Sequence, residues 1–130
     1  MTVYLDASAI VKLVALEAET APLVAYLAEH PSQATSVVGL VEVRRAAARR
    51  PGVPSGRVEA VCSRIAAIAL DAAVAGVAGT VEPPALRTLD AVHLASAAAL
   101  ADDLEALVTY DRRLAEAAAA LGLPTASPGA

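Results

Sequence analysis

The chain has 130 residues, a formal net charge of −4 and 57% hydrophobic residues, a length suited to one domain with a sizeable core. A pI near 5.0 argues against a uniformly basic nucleic-acid binder, and a chain without Trp or Phe, whose only aromatics are Tyr4, Tyr26 and Tyr110, cannot rely on base stacking as its main binding device. No uncharged apolar run reaches about 18 residues, no basic leader precedes an apolar segment, and Cys62 is a lone cysteine, which points away from a membrane span, a signal peptide and a disulfide framework, and towards a cytoplasmic protein.

Along the chain, Thr2–Leu5 reads as a strand with Asp6 at its carboxyl end, followed by a helix over Ala7–Leu16 that Asp6 or Ser8 can cap. A second helix spans Glu19–His30 and stops before Pro31. Gln33–Thr35 reads as a short strand, and Ser36 caps a helix from Val37 to Arg50 that ends at Pro51-Gly52. Val58, Val61, Ile65 and Ile68 recur at helical spacing, predicting a helix over Pro54–Ala67 and a strand at Ile68–Leu70. Asp71 opens a small helix, Thr88 caps an apolar helix over Leu89–Leu100, and Leu104–Thr109 is a strand. A helix over Asp111–Leu121 and an edge strand at Pro124–Ala126 complete the pattern, with Ser127–Ala130 expected to fray. Strands alternating with helices imply one three-layer α/β/α domain over residues 1–130, with a central, mostly parallel sheet of four or five short strands.

Four acids stand in or beside apolar runs: Asp6, Glu42, Asp90 and Asp111. Carboxylates are seldom buried unless paired or metal-bound, so one shared cation pocket would account for all four. Hard oxygen donors of this kind suit Mg²⁺, with Mn²⁺ a substitute. Each acid also has a simpler explanation. Asp6 and Asp111 lie between a strand and a helix, where Asp caps; Asp90 lies in a first helical turn, where negative charge complements the dipole. Glu42 shares a helical stripe with Arg45 and Arg49, so a surface ladder of ion pairs is the alternative there. His30, before Pro31, is read as a surface residue, and His93, one turn after Asp90, as making a structural hydrogen bond rather than binding metal.

The segments VYLDASAIVKL, SVVGLVEVRRA, LRTLDAVHLASA and LVTYDRRLAEAAAALGL occur in an order that resembles the PIN-domain ribonucleases, specifically the toxin component of VapBC-type toxin–antitoxin modules. The likeness covers essentially the whole chain. It implies a metal-dependent endoribonuclease that inhibits translation and growth, a cognate VapB-type antitoxin, and a homodimer. By the resemblance, Asp6 and Asp90 are the principal Mg²⁺ ligands, and Glu42 and Asp111 complete the site through water or a second ion. Ser8 and Thr109 match small polar positions beside the acids. Arg45, Arg49 and Arg112 are the candidates for holding the RNA backbone, since arginine forks suit phosphate. Two rivals are a catalytically silent PIN-like binding module and a receiver-type phosphoacceptor domain. The second is disfavoured by a single Asp on the first strand and by Lys12 being the only lysine.

Overall fold

The computed structural model describes residues 1–130. Its elements run β1 (Thr2–Leu5), α1 (Ala7–Val14), α2 (Thr20–Ala28), β2 (Gln33–Ser36), α3 (Val37–Ala48), α4 (Ser55–Cys62), β3 (Ala66–Ile68), α5 (Ala72–Ala78), α6 (Thr88–Ala98), β4 (Leu104–Val108), α7 (Arg112–Ala120) and β5 (Thr125–Ala126). The strands form one sheet in the order β3-β2-β1-β4-β5, and every neighbouring pair is parallel. The three-layer α/β/α arrangement anticipated from the alternation of elements is therefore the one adopted.

Strand side chains alternate between the sheet's two faces, and each face has its own core. Val3, Leu5 and Val108 join Ile10, Val14, Leu23, Leu27, Val43 and Val58 under α1 to α4. Tyr4 and Leu107 face the other way, against Leu94 and Ala97 of α6 and Leu114, Ala117 and Ala118 of α7. Helix α6 is buried continuously from Ala91 to Ala97, because it is enclosed by the sheet, α3, α5 and α7. A helix apolar on all sides is what such a position requires.

Chain order runs from β1 outward to β2 and β3 on one side, then returns to β4 and β5 on the other. The reversal leaves a crevice beyond the carboxyl ends of β1 and β4, where open α/β sheets collect ligands. Asp6 directly follows β1 and Asp111 lies just beyond β4, so their convergence follows from this one adjacency.

Several boundaries differ from expectation. The fourth helix ends at Cys62, and β3 begins at Ala66 rather than Ile68. Ala66, Ala67 and Ile68 register against Ala34, Thr35 and Ser36, and that non-local ladder overrides a helical periodicity that continues in the side chains. Thr88 is the first residue of α6, not its cap; Arg87 occupies the cap position without a side-chain hydrogen bond. The tail expected to fray is tied down, because Ser127 Oγ donates to Thr109 O at 2.6 Å and Tyr110 Oη donates to Pro128 O at 2.8 Å.

Candidate active site

Asp6 is 4% exposed and does two things at once. Its backbone is still extended where β1 ends, and its Oδ1 accepts from Ala9 N at 2.9 Å, capping α1. The same Oδ1 accepts from Ser8 Oγ at 2.6 Å, and Oδ2 accepts from Thr109 Oγ1. Both hydroxyls are in turn fixed by the β4–α7 connection: Ser8 Oγ accepts from Tyr110 N at 3.0 Å, and Thr109 Oγ1 accepts from Asp111 N at 3.0 Å. The two small polar residues are thus bridges between the two strand ends. Burial pushes the Asp6 carboxyl above its ordinary range, opposed by the bonds from Ser8, Thr109 and Ala9.

Asp111 caps α7, its Oδ1 accepting from Arg113 N at 2.8 Å and Leu114 N at 3.3 Å. Asp90, in the first turn of α6, lines the same cleft. Its carboxyl is raised by burial first and then by the negative charge of Asp111, with Asp6 adding to the effect while the Arg87 guanidinium opposes it. Mutual repulsion among acids in one partly dry cleft is the condition a divalent cation relieves.

Glu42 does not form the surface ladder of ion pairs that is its alternative reading. Its Oε1 lies 2.6 Å from His93 Nε2, across the contact between α3 and α6, and no ion pair links it to Arg45 or Arg49. Gly39 allows this approach: a Cβ there would stand 3.1 Å from His93 Cε1 and 2.4 Å from Thr35 Oγ1. His93 is 1% exposed, and its Nδ1 lies 2.7 Å from Tyr4 Oη, which also accepts from Ser36 N at 3.0 Å. The structural hydrogen bond expected of His93 is present twice over. His30, by contrast, is partly buried, stacked on Tyr26 with ring centroids 4.3 Å apart.

All four acids line one cleft of about 320 Å³, together with Ala7, Ser8, Arg87, Thr88, Leu89 and His93. The side chains do not stand as a ready-made cage of three acid, histidine or cysteine ligands. The fit to Mg²⁺ rests on the chemistry of the donors, hard carboxylate oxygens lining one cleft. A larger groove of about 690 Å³ adjoins the cleft, sharing Ala7, Ser8, Glu42 and Leu89, and Arg45, Arg49 and Lys12 lie along it. Arg112 lines neither space; it is exposed at the start of α7. Arg87 was missed by sequence reasoning, although its place one turn before Asp90 is a signal that pairs the two charges.

A family model of the PIN domain matches residues 3–120. The chain belongs to the PIN domain family. Within it, the chain is 41% identical to "Ribonuclease VapC47" of Mycobacterium tuberculosis over 98% of both chains. It is 40% identical to "Ribonuclease VapC35" of the same species, covering 98% of this chain and 97% of that one, and 38% identical to "Ribonuclease VapC46", covering 97% of each. The PIN assignment removes the receiver-type alternative. No helix of this PIN domain is long and apolar enough to cross a membrane.

Proposed function

We propose that this PIN domain is a divalent-cation-dependent endoribonuclease and the toxin of a VapBC-type module, inhibiting translation and growth by cleaving RNA. The observation that carries the reading is the single cleft lined by Asp6, Glu42, Asp90 and Asp111 at the carboxyl ends of β1 and β4. Near-full-length identity to relatives named as ribonucleases supports the activity.

Asp6 and Asp90 would hold Mg²⁺, or Mn²⁺ in its place, with Glu42 and Asp111 completing the site through water or a second ion. When bound, the cation supplies charge stabilisation at the phosphoryl oxygens and makes a water acidic enough for in-line attack. Ser8 and Thr109 keep Asp6 oriented by donating to both of its oxygens. Arg45 and Arg49, exposed along the adjoining groove and engaged in no ion pair, would hold the RNA backbone by its phosphates. Arg112 is left out of that role. An apolar groove between α1, α2 and α4, lined by Leu13, Val24, Leu27, Val61 and Ile65, supports a VapB-type antitoxin as partner, and a homodimer is the expected assembly.

The test is cleavage mapping of total cellular RNA with added Mg²⁺. Asp6→Asn and Asp90→Asn, each retaining the wild-type fold by circular dichroism, are expected to lose cleavage and to relieve growth inhibition. Undiminished cleavage by either purified variant would sink the site assignment, and a wild-type protein that cleaves no RNA with Mg²⁺ present would leave a silent binding module as the reading.

A further inference from the structure

We propose that His93 is a positioning residue, held in one tautomer by Tyr4 so that its Nε2–H fixes the Glu42 carboxylate at the edge of the acidic cleft. The inference rests on the cation-site reading above and extends it from the four acids to a buried chain behind one of them.

The argument begins with Glu42, whose Oε1 lies 2.6 Å from His93 Nε2. An ionised carboxylate has no proton to give, so Nε2 must carry one. In a neutral imidazole Nδ1 is then an acceptor, and it faces Tyr4 Oη at 2.7 Å. The phenol can supply that proton because Ser36 N–H already donates to its oxygen at 3.0 Å, which uses a lone pair and leaves the O–H free to point at the ring. Burial raises the Tyr4 pKa far above its ordinary value, so the phenol remains a donor throughout the working range. Every link in the chain Ser36 N–H, Tyr4, His93, Glu42 therefore has one polarity.

Geometry adds an independent constraint. Tyr4 is 0% and His93 1% exposed, with their rings edge to face at 5.8 Å, so neither can change rotamer without opening the core. The ring is also confined by α3, since Gly39 leaves no spare space over His93 Cε1. Glu42, by contrast, is the partly exposed end of the chain, with a side chain 27% exposed, and would otherwise sample several rotamers on a mid-helix position. Oε1 is engaged by the ring, while Oε2 makes no protein hydrogen bond and is free for water or cation. A hydrogen-bonded second layer of this type commonly alters metal affinity about 10–100-fold when removed.

The experiment uses the full chain and Mn²⁺ as probe. Side-chain ¹⁵N–¹H correlation spectra of metal-free protein near neutral pH are expected to show His93 protonated on Nε2 and bare on Nδ1. An Nδ1–H tautomer or an imidazolium would overturn the proposal. Mn²⁺ affinity, followed by electron paramagnetic resonance, is expected to fall about 10–100-fold in His93→Leu and to recover most of that loss in His93→Gln, which restores an N–H donor. Equal affinity in wild type and His93→Leu, or in the Leu and Gln variants, would overturn the positioning role while leaving the cation site standing. Should His93→Leu fail to fold, Tyr4→Phe serves instead, with mixed tautomers and weakened Mn²⁺ binding expected and wild-type behaviour in both readouts overturning the role of Tyr4. Wild-type protein that takes up no Mn²⁺ would instead defeat the cation reading itself, and the orientation of His93 would then be decided by the spectra alone.

Discussion

Thr109 Oγ1 donates to Asp6 Oδ2 and accepts from Asp111 N at 3.0 Å, so one fully buried hydroxyl couples two of the four acids at the ends of neighbouring strands. Thr109→Val keeps the shape and removes both bonds. It leaves the Asp111 N–H without its partner, which costs about 1–3 kcal/mol, and withdraws one of the bonds that hold the Asp6 pKa down. The expected outcome is a lower melting temperature and a rising limb of the pH–activity profile displaced to higher pH. A variant that melts lower with an unmoved limb would assign Thr109 to stability alone.

The raised carboxyls make a second, opposite statement about stability. Asp6 and Asp90 both have folded-state pKa values above the ordinary 3.8, chiefly through burial. The native state therefore binds these protons more tightly than the unfolded chain, and the stability they contribute is greatest below 3.8 and is lost as pH rises through the folded values. With cations chelated, Asp90→Asn is expected to melt higher than wild type at about pH 7 and to match it at about pH 3. Calorimetry at the two pH values checks the sign, and an equal gap at both would contradict it.

Added Mg²⁺ or Mn²⁺ should reverse that penalty in the wild type. Binding to the folded form alone stabilises by about 2.7 kcal/mol at a hundredfold excess over Kd. Thermal melts are therefore expected to rise with cation concentration in wild type and to stay nearly flat in Asp6→Asn. Parallel rises in both proteins would place the ion elsewhere.

Arg45 and Arg49 border the groove next to the acids and Arg112 does not. Arg45→Ala and Arg49→Ala are expected to weaken binding to a non-cleavable RNA, each lowering the slope of log K against log salt by roughly 0.7. Arg112→Ala is expected to leave the slope unchanged. Binding isotherms at several salt concentrations decide the matter, and equal slopes in all three variants would remove the groove from the RNA path.

Gly39→Ala tests the close approach of α3 to the sheet and α6. The added methyl would meet Thr35 Oγ1 at 2.4 Å and His93 Cε1 at 3.1 Å, and overpacking of this kind costs about 1–3 kcal/mol. Chemical denaturation is expected to report that loss together with weaker cleavage, because the displaced helix carries Glu42. Wild-type stability would mean that the contact relaxes without cost.

Local chemistry is what the sequence expresses well. Asp6 and Asp111 were legible because strand ends and helix caps are written in adjacent residues, and both side chains do accept from the N–H groups of the helix they open. Capping and a place on the cleft are compatible, since Asp6 and Asp111 each cap a helix through Oδ1 and both line the same cleft. The order of the acids and their flanking residues also sufficed for the family.

Tertiary structure decided what depends on elements distant in the chain. The convergence of Asp6 with Asp111 needs β1 beside β4, a pairing that no local pattern encodes. Ala66–Ile68 is a strand because β2 is there to pair with it, although its apolar spacing continues that of a helix. The sharpest case is Glu42. One helix's periodicity places it among arginines, while the fold gives it His93, because a glycine lets α3 close on α6 and a buried tyrosine orients the ring between them. Sequence determined which side chains were available; the packing of helices from opposite halves of the chain determined which of them meet.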